Sequence, residues 1–245
     1  MAKITGIFPF VGSLAGVQGR KTPFGNVIQT HGGFNGERVK TEARYEKTRQ
    51  LSTEFGRCAK LSSLLKRTLD FYLKLLPDPY VYNHIQKWLT AVKECDADSP
   101  KGDKTVGKGM LTDSGKKLFN GFSFNRKRGF GLSVFENYRV DLEHGLLELK
   151  VDARRFAFPK DADAVGLQLV LLRIDLDAME CVVGVGEMVF VGKGDAVDTK
   201  VLEAVVPEGA GVLVGILFVG FGVVERGEVV LGRDVGNMLG VLGWL

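Results

Sequence analysis

The most apolar stretch of the chain covers residues 209–224, which contain no charged side chain and lie between Glu208 and Glu225. A membrane-spanning helix needs about 18 or more consecutive apolar residues, so this run is too short for one. Its valines and interior glycines also disfavour a helix, because each interior glycine costs about 1 kcal/mol of helix propensity. The pattern therefore predicts a buried β-strand with a bend or bulge at residues 220–222.

Short segments of apolar and polar residues, separated by turn-forming residues, make up the rest of the second half. The dipeptide His144-Gly145, for example, is a hairpin-turn signal between two such segments. Segments repeated at intervals of about 8 to 12 residues are typical of an antiparallel sandwich such as the immunoglobulin fold. The predicted strands cover residues 118–124, 138–142, 146–151, 167–178, 181–191, 201–206, 209–224 and 235–245.

The first half begins with a strand pattern and then becomes helical. Residues 13–30 predict a β-hairpin around a turn-forming cluster. Residues 38–76 and 80–95 carry apolar side chains at spacings of three and four, which predicts two helices that form an αα-hairpin. Residues 96–117 are polar and rich in Gly, Lys and Asp, which indicates a linker or a long surface loop. The predicted buried helix faces contain Leu61, Leu64, Leu65, Leu69, Leu73, Ile85, Trp88, Leu89 and Val92.

Together these patterns predict an α+β fold with an N-terminal β-hairpin and an αα-hairpin, followed by an antiparallel β-sandwich of the immunoglobulin-like kind. The change of pattern places a domain boundary after Lys117. The hairpin and the basic helical region then occupy residues 1–117, and the sandwich occupies residues 118–245. A β-hairpin alone is only marginally stable in water, so we expect the hairpin to lie on the rest of its own chain or on another chain.

Charge is distributed unevenly along the sequence. Residues 1–128 contain 23 Lys and Arg against 11 Asp and Glu, a net +12, whereas residues 129–245 contain 10 against 18, a net −8. Such asymmetry is typical of a chain whose basic part binds an acidic or nucleic-acid partner, and of a chain whose copies bind head to tail. Two surfaces that are merely solvated differently would also explain it.

Residues with catalytic potential are scattered rather than grouped. Cys58 lies between Arg57 and Lys60, a basic setting that can lower a thiol pKa, but no histidine accompanies it. The cysteines show no C-x-x-C spacing, and no serine lies in a G-x-S-x-G turn. The three histidines and the three cysteines are His31, His84, His144, Cys58, Cys95 and Cys181.

Residues 109–117 (GMLTDSGKK) are similar to a phosphate-binding loop but do not fit its signature. That signature needs four residues between the glycines and a Ser or Thr after the lysine, whereas this segment has five residues and then Lys117. The acid pairs at 161/163 and 175/177 are explained more simply as solvated side chains than as metal ligands. We therefore predict no cofactor, no metal site and no enzymatic activity.

Arg126, Lys127 and Arg128 are the candidate binding residues. Basic groups next to aromatic rings are the combination with which proteins follow the backbone of single-stranded nucleic acid and stack on its bases. A basic turn between two strands is the simpler interpretation. The neighbouring aromatic residues are Phe122, Phe124 and Phe130.

Several short motifs carry a resemblance to a known family. They are the Gly32-Gly33 pair after the hairpin, Thr48-Arg49, the segment EFGR at 54–57 and the segment GFSFN at 121–125. With these motifs the chain resembles an uncharacterised family of bacterial proteins of similar length. The resemblance implies an N-terminal hairpin and a helical segment followed by a β-sandwich, and it implies no activity and no catalytic residues.

We expect a non-enzymatic structural protein that self-assembles through head-to-tail contacts into a filament, a shell or a ring. The N-terminal hairpin would add a strand to a sheet of a neighbouring copy, because unpaired strand N–H and C=O groups bind other strands. The partners are then copies of the chain itself. The alternative is a nucleic-acid-binding protein that uses the basic N-terminal half, and neither hypothesis includes a membrane span.

Overall fold

A computed structural model of the chain describes residues 2–3, 10–30, 36–126, 132–234 and 236–245. The chain divides into two compact units, residues 1–50 and residues 51–245. The domain boundary predicted after Lys117 falls inside the second unit.

The first unit contains a four-stranded antiparallel sheet with the strand order β1-β4-β3-β2. The predicted hairpin is confirmed, since β3 and β4 pair from Val17 opposite Thr30 to Thr22 opposite Gly25. Gly19 is the only buried residue among the described residues of this unit. Its elements are β1 (Ala2–Lys3), β2 (Gly12–Leu14), β3 (Val17–Thr22), β4 (Gly25–Thr30) and α1 (Gly36–Thr41).

Five further α-helices follow in the described residues. The helix predicted at 38–76 is interrupted twice, because one helix ends at Thr41 before the next begins at Glu46, and that one ends at Thr68 before a third begins at Asp70. The helix predicted at 80–95 is confirmed. The leucines and the other apolar residues predicted to form buried faces are all buried. The helices are α2 (Glu46–Thr68), α3 (Asp70–Leu75), α4 (Val81–Glu94), α5 (Val106–Leu111) and α6 (Asp113–Phe119).

The prediction of a linker or long loop at 96–117 is wrong, because α5 and most of α6 lie within these residues. Each of the two helices is capped by a threonine: Thr105 Oγ1 accepts a hydrogen bond from the N–H of Lys108, and Thr112 Oγ1 accepts one from Gly115. Such N-caps stabilise helix starts by about 1 kcal/mol. The strand predicted at 118–124 is also wrong, because α6 continues to Phe119 and only Ser123 forms an isolated β-bridge, with Gly240.

The remaining strands form two antiparallel sheets. They are β5 (Asn137–Asp141), β6 (Leu146–Val151), β7 (Ala164–Asp175), β8 (Glu180–Val185), β9 (Val189–Gly192), β10 (Asp198–Glu203), β11 (Val212–Glu225), β12 (Glu228–Leu231) and β13 (Met238–Trp244). The larger sheet has the order β12-β11-β7-β8, with β13 also paired to β11 and β9 also paired to β7; the smaller has the order β10-β6-β5. The sequence pattern did not predict β12, and it predicted a single strand at 181–191 where the structure has β8 and β9.

The six-stranded sheet is the middle layer of the second unit. On β11, Ile216 and Phe218 face a core that is shared with the helices, whereas Leu217 and Val219 face a core that is shared with the three-stranded sheet. A strand that is buried on both faces carries apolar residues at every position rather than at alternate ones. This explains the apolar sequence of residues 213–222, which are all buried, whereas residues 209–211 and 223–224 of the uncharged run are exposed.

The bulge predicted at 220–222 is not found there. The pairing of β11 with β7 continues without a break to Gly222 opposite Ala164. The register shifts instead in the pairing of β11 with β13, between Gly215 and Ile216, where Leu242 is left without a partner position. Gly220 leaves room for the ring of Phe218, which a Cβ at position 220 would overlap.

The fold is therefore mixed α+β, with an N-terminal hairpin, helices and antiparallel sheets, as the sequence predicted. The immunoglobulin-like form of the sandwich is not confirmed. The helices cover one face of the larger sheet and share a continuous core with it.

Candidate functional site

Arg126 is the member of the predicted basic patch that lies in the described residues; Lys127 and Arg128 lie outside them. Its Nε lies 3.4 Å from Oδ2 of Asp78, a buried oxygen without a hydrogen-bond partner among the described residues. Its guanidinium group also lies over the ring of Tyr80, 5.8 Å from the centroid. Part of the Arg126 charge is thus used inside the chain, to compensate a buried carboxylate.

Phe122 and Phe124, two of the aromatic residues beside the patch, pack within the helix–sheet core. The ring of Phe122 lies 4.0 Å from that of Trp88 and nearly parallel to it, and the ring of His84 stacks on Phe122 at 4.9 Å. Phe124 is buried, and Phe130 lies outside the described residues. Phe124 therefore has no exposed face on which a base could stack, and nucleic-acid binding stays a prediction that rests on charge.

The histidines of the described residues bind neighbouring groups. His84 Nε2 lies 2.9 Å from the carbonyl oxygen of Ser123. His144 Nδ1 lies 2.9 Å from Oδ2 of Asp141 in an exposed turn. His31 lies outside the described residues. The two described rings are far from each other in the sequence and hold local structure rather than forming a joint site.

The segment that is similar to a phosphate-binding loop contains two packing glycines. Gly109 lies on α5, and a Cβ at this position would overlap the carbonyl oxygen of Val92 on α4. Gly115 lies on α6, and a Cβ there would overlap the carbonyl oxygen of Gly109. These glycines let α4, α5 and α6 approach one another closely. Helix packing therefore explains why glycine lies at both positions, and no phosphate-binding role is needed to explain it.

A buried ion pair that sequence reasoning missed joins α2 to α4. Lys93 Nζ lies 2.5 Å from Oε2 of Glu54, and both side chains are at most 5% exposed. Glu54 Oε1 accepts a hydrogen bond of 2.6 Å from the backbone N–H of Gly102, and Lys93 also binds Glu94 at 2.7 Å. The two residues are 39 positions apart in the sequence, so no local sequence pattern predicts that they form a pair.

The surroundings keep both groups of this pair ionised. Burial alone would raise the pKa of Glu54, but the hydrogen bonds from Lys93 and Gly102 outweigh burial and hold that pKa below its ordinary value. Burial alone would likewise lower the pKa of Lys93, but its bonds to Glu54 and Glu94 outweigh burial and raise it. The pair therefore anchors the segment that leads from α4 to α5.

A cleft of about 500 Å³ opens beside α2 and the start of α5. Arg57, Lys60 and Lys104 line it together with Asp103 and Asp177, so charges of both signs face it. Its apolar wall is formed by Leu61, Val106, Gly107, Leu176 and Met179.

Cys58 also lines this cleft and is buried. Burial raises the pKa of its thiol and outweighs the opposite effect of the Lys93 charge. A reactive cysteine needs a lowered pKa, so Cys58 has the properties of a core residue rather than of a nucleophile.

Two surfaces of the sheets carry several exposed apolar side chains each. In the first unit, Val11, Leu14 and Phe24 are each more than half exposed. In the second unit, the edge strand β8 exposes Val182 at 52% and Val183 at 43%. Strand edges with exposed apolar side chains are binding surfaces for further strands.

Within the described residues, no group of three or more His, Cys, Asp or Glu side chains is arranged to hold a metal ion. Among the same residues, no helix is long and apolar enough to cross a membrane. No family model, no curated protein and no solved structure matches the chain. Membership of the bacterial family suggested by the sequence motifs therefore stays a prediction.

Proposed function

We propose that the chain is a non-enzymatic structural protein that assembles with copies of itself through head-to-tail contacts. The observation that carries this proposal is the four-stranded sheet of the first unit, in which Gly19 is the only buried residue among those described. Sheets become stable by covering an apolar face. A sheet whose described residues are so little buried has a surface available for a partner.

The exposed side chains of this sheet suit a protein partner. Val11 and Leu14 lie on or beside the edge strand β2 and are 63% and 66% exposed, and Phe24 at the β3–β4 turn is 55% exposed. Burying side chains of this size contributes about 1.5 to 3 kcal/mol each. Strand pairing with another copy would bury them and would also satisfy the main-chain groups of the edge.

Charge favours a head-to-tail arrangement of the copies. The basic first half carries a net +12 and the acidic second half a net −8. When the basic half of one copy meets the acidic half of another, opposite charges attract. When two basic halves or two acidic halves meet, their like charges repel each other. Head-to-tail contacts give closed rings when the rotation closes and open filaments when it does not.

The non-enzymatic part of the proposal is supported by how the chain uses its candidate groups. Cys58 has a raised pKa, Glu54 and Lys93 neutralise each other, and Arg126 compensates Asp78. Each group thus has a structural partner or a buried setting that accounts for it.

Nucleic-acid binding by the basic half is the second proposal, and the net +12 of residues 1–128 supports it. Phosphate contacts release counterions, so affinity would fall with a slope of about −0.9 per neutralised phosphate in a plot of log affinity against log salt. An unchanged electrophoretic mobility of the protein with excess polyanion at low salt would remove this proposal.

Light scattering of the full chain tests self-assembly. We expect particles larger than one chain at about 50 mM salt, and a smaller mean mass at about 1 M salt, where the Debye length falls to about 3 Å. A strictly monomeric chain at high micromolar concentration and low salt would overturn the proposal.

A further inference from the structure

We propose that β8 is the acceptor edge, to which the edge strand β2 of a second copy adds. This inference rests on the proposed self-assembly and names the two surfaces that meet. Within the described residues, β8 pairs only with β7, so one side of its backbone has no strand partner there. Val182, Val183 and Val185 on this strand are 52%, 43% and 44% exposed.

The other edges of the two sheets are better protected than β8. Charged side chains on an edge strand discourage the addition of another strand. On β5 these are Arg139 and Asp141, and on β10 they are Asp198, Lys200 and Glu203. By contrast, the five residues 181–185 of β8 are uncharged and contain no proline.

The outer side of β13 is covered rather than charged. The N–H of Gly121 donates to the carbonyl oxygen of Val241, and the N–H of Phe124 donates to that of Leu239. The strands β9 and β12 have only four residues each, and such short edges offer little backbone to an added strand. Among the described edge strands of the two sheets, β8 therefore has the longest uncharged run that combines exposed apolar side chains with a free backbone edge.

Glycines hold β8 firmly against the layer beneath it. A Cβ at Gly184 would overlap the carbonyl oxygen of Val205, and one at Gly186 would overlap that of Glu203. One face of the strand is thus supported by the backbone of the segment that follows β10. A supported edge loses little conformational freedom when another strand adds, which favours binding.

Charge identifies the occupant as the N-terminal sheet of another copy. Residues 174–188, which include β8 and its flanks, contain four acidic residues and no basic one. Residues 1–30, which include β2, contain three basic residues and no acidic one. Within the described residues β2 pairs only with β3, so its outer edge is available as the donor.

Two substitutions in the full chain separate donor from acceptor. Val183→Lys places a positive charge on the acceptor edge, where it would face the basic donor, and Leu14→Glu places a negative charge on the donor edge, where it would face the acidic acceptor. We expect each variant alone to be monomeric. The matched control is Val201→Lys on β10, since Val201 is 51% exposed on an edge that already carries charges, and this variant should assemble like the wild type.

Mixing the two variants gives the decisive measurement. The Leu14→Glu chain keeps an intact acceptor and the Val183→Lys chain keeps an intact donor, so an equimolar mixture should form complexes of at least twice the mass of one chain. Circular dichroism of each variant must match that of the wild type, and Val183→Thr replaces Val183→Lys if the lysine variant unfolds, with a partial loss of assembly expected.

Each other outcome has a distinct meaning. Assembly of the wild type together with undiminished assembly of the Val183 variants would overturn the acceptor assignment and leave self-assembly standing. A mixture that stays monomeric would overturn the pairing of β2 with β8. A wild type that never assembles would overturn the proposed function itself.

Discussion

At the scale of single residues, Glu54 and Lys93 form the one ion pair within the described residues in which both side chains are buried. Removing one partner of a buried ion pair leaves the other charge without compensation, which commonly costs about 3 to 5 kcal/mol. Glu94 contacts the same lysine from an exposed position, with 54% of its side chain accessible. Exposed pairs contribute about 0 to 1 kcal/mol.

We predict that Glu54→Gln lowers the free energy of unfolding by about 3 kcal/mol, whereas Glu94→Gln lowers it by less than about 1 kcal/mol. Gln keeps an oxygen that can accept from Gly102, so the substitution tests the charge rather than the volume. Urea unfolding followed by circular dichroism gives both values. Equal effects of the two substitutions would contradict the ranking.

We also predict a specific pH dependence. Burial alone would raise the pKa of Glu54 in the folded chain, but the bonds from Lys93 and Gly102 outweigh burial and hold this pKa below its ordinary value of 4.5. A lowered folded-state pKa stabilises the fold above the unfolded-state pKa, and this stabilisation is lost as the pH falls through the folded-state value. Stability should therefore fall below about pH 4.5, and less steeply in Glu54→Gln than in the wild type, as urea titrations at several pH values would show.

At the scale of elements, glycines set how closely the helices pack. Gly109 on α5 fits against the carbonyl oxygen of Val92 on α4, where a methyl group would overlap. Gly56 on α2 has no atom within 4 Å of the position that a Cβ would take. Both glycines lie in helices, but only Gly109 has a neighbouring atom in the place of a Cβ. The same substitution should therefore have opposite effects on stability at the two positions.

We predict that Gly109→Ala destabilises the chain by about 1 to 3 kcal/mol, because overpacking forces the helices apart. Gly56→Ala should stabilise it by up to about 1 kcal/mol, because alanine has the higher helix propensity. Thermal unfolding of the two variants measures the difference. If Gly109→Ala is neutral or stabilising, the close approach of α4 and α5 is not required for the fold.

At the scale of the whole molecule, the helices and the larger sheet depend on each other. Val170, Leu172, Ile216 and Phe218 of the sheet are fully buried in the core that contains the helices. Exposing side chains of this kind costs about 1.5 to 3 kcal/mol each, and a native domain has only about 5 to 15 kcal/mol of stability. The sheet region alone therefore lacks the stability to fold.

We predict that a chain of residues 46–245 folds, whereas a chain of residues 118–245 does not. The longer fragment keeps α2 and the whole second compact unit, and the shorter one loses the helical layer. Dispersion of amide proton signals in NMR spectra distinguishes folded from unfolded fragments. A well-dispersed spectrum of the shorter fragment would support the boundary predicted after Lys117.

Patterns within one element were readable from the sequence. The leucine spacing on α2, the apolar face of α4, the hairpin around Pro23 and the turn at His144-Gly145 depend on neighbours in the chain, and the structure contains all of them. The helices α5 and α6 were missed although their capping threonines are visible, because glycine and lysine dominate their composition. Their stability comes from packing against α4 rather than from local propensity.

The sequence by itself determined the α+β class, the antiparallel character of the sheets and the uneven charge, because each follows from local periodicity or from composition. Only the tertiary structure decided that residues 213–222 of β11 are buried on both faces, that Glu54 meets Lys93, and that the outer edge of β8 has no strand partner among the described residues. These features depend on groups that are distant in the sequence. Contacts between distant residues produce no periodic pattern in the sequence. The order of the strands and the exposure of an edge are therefore known only from the packed layers of the structure.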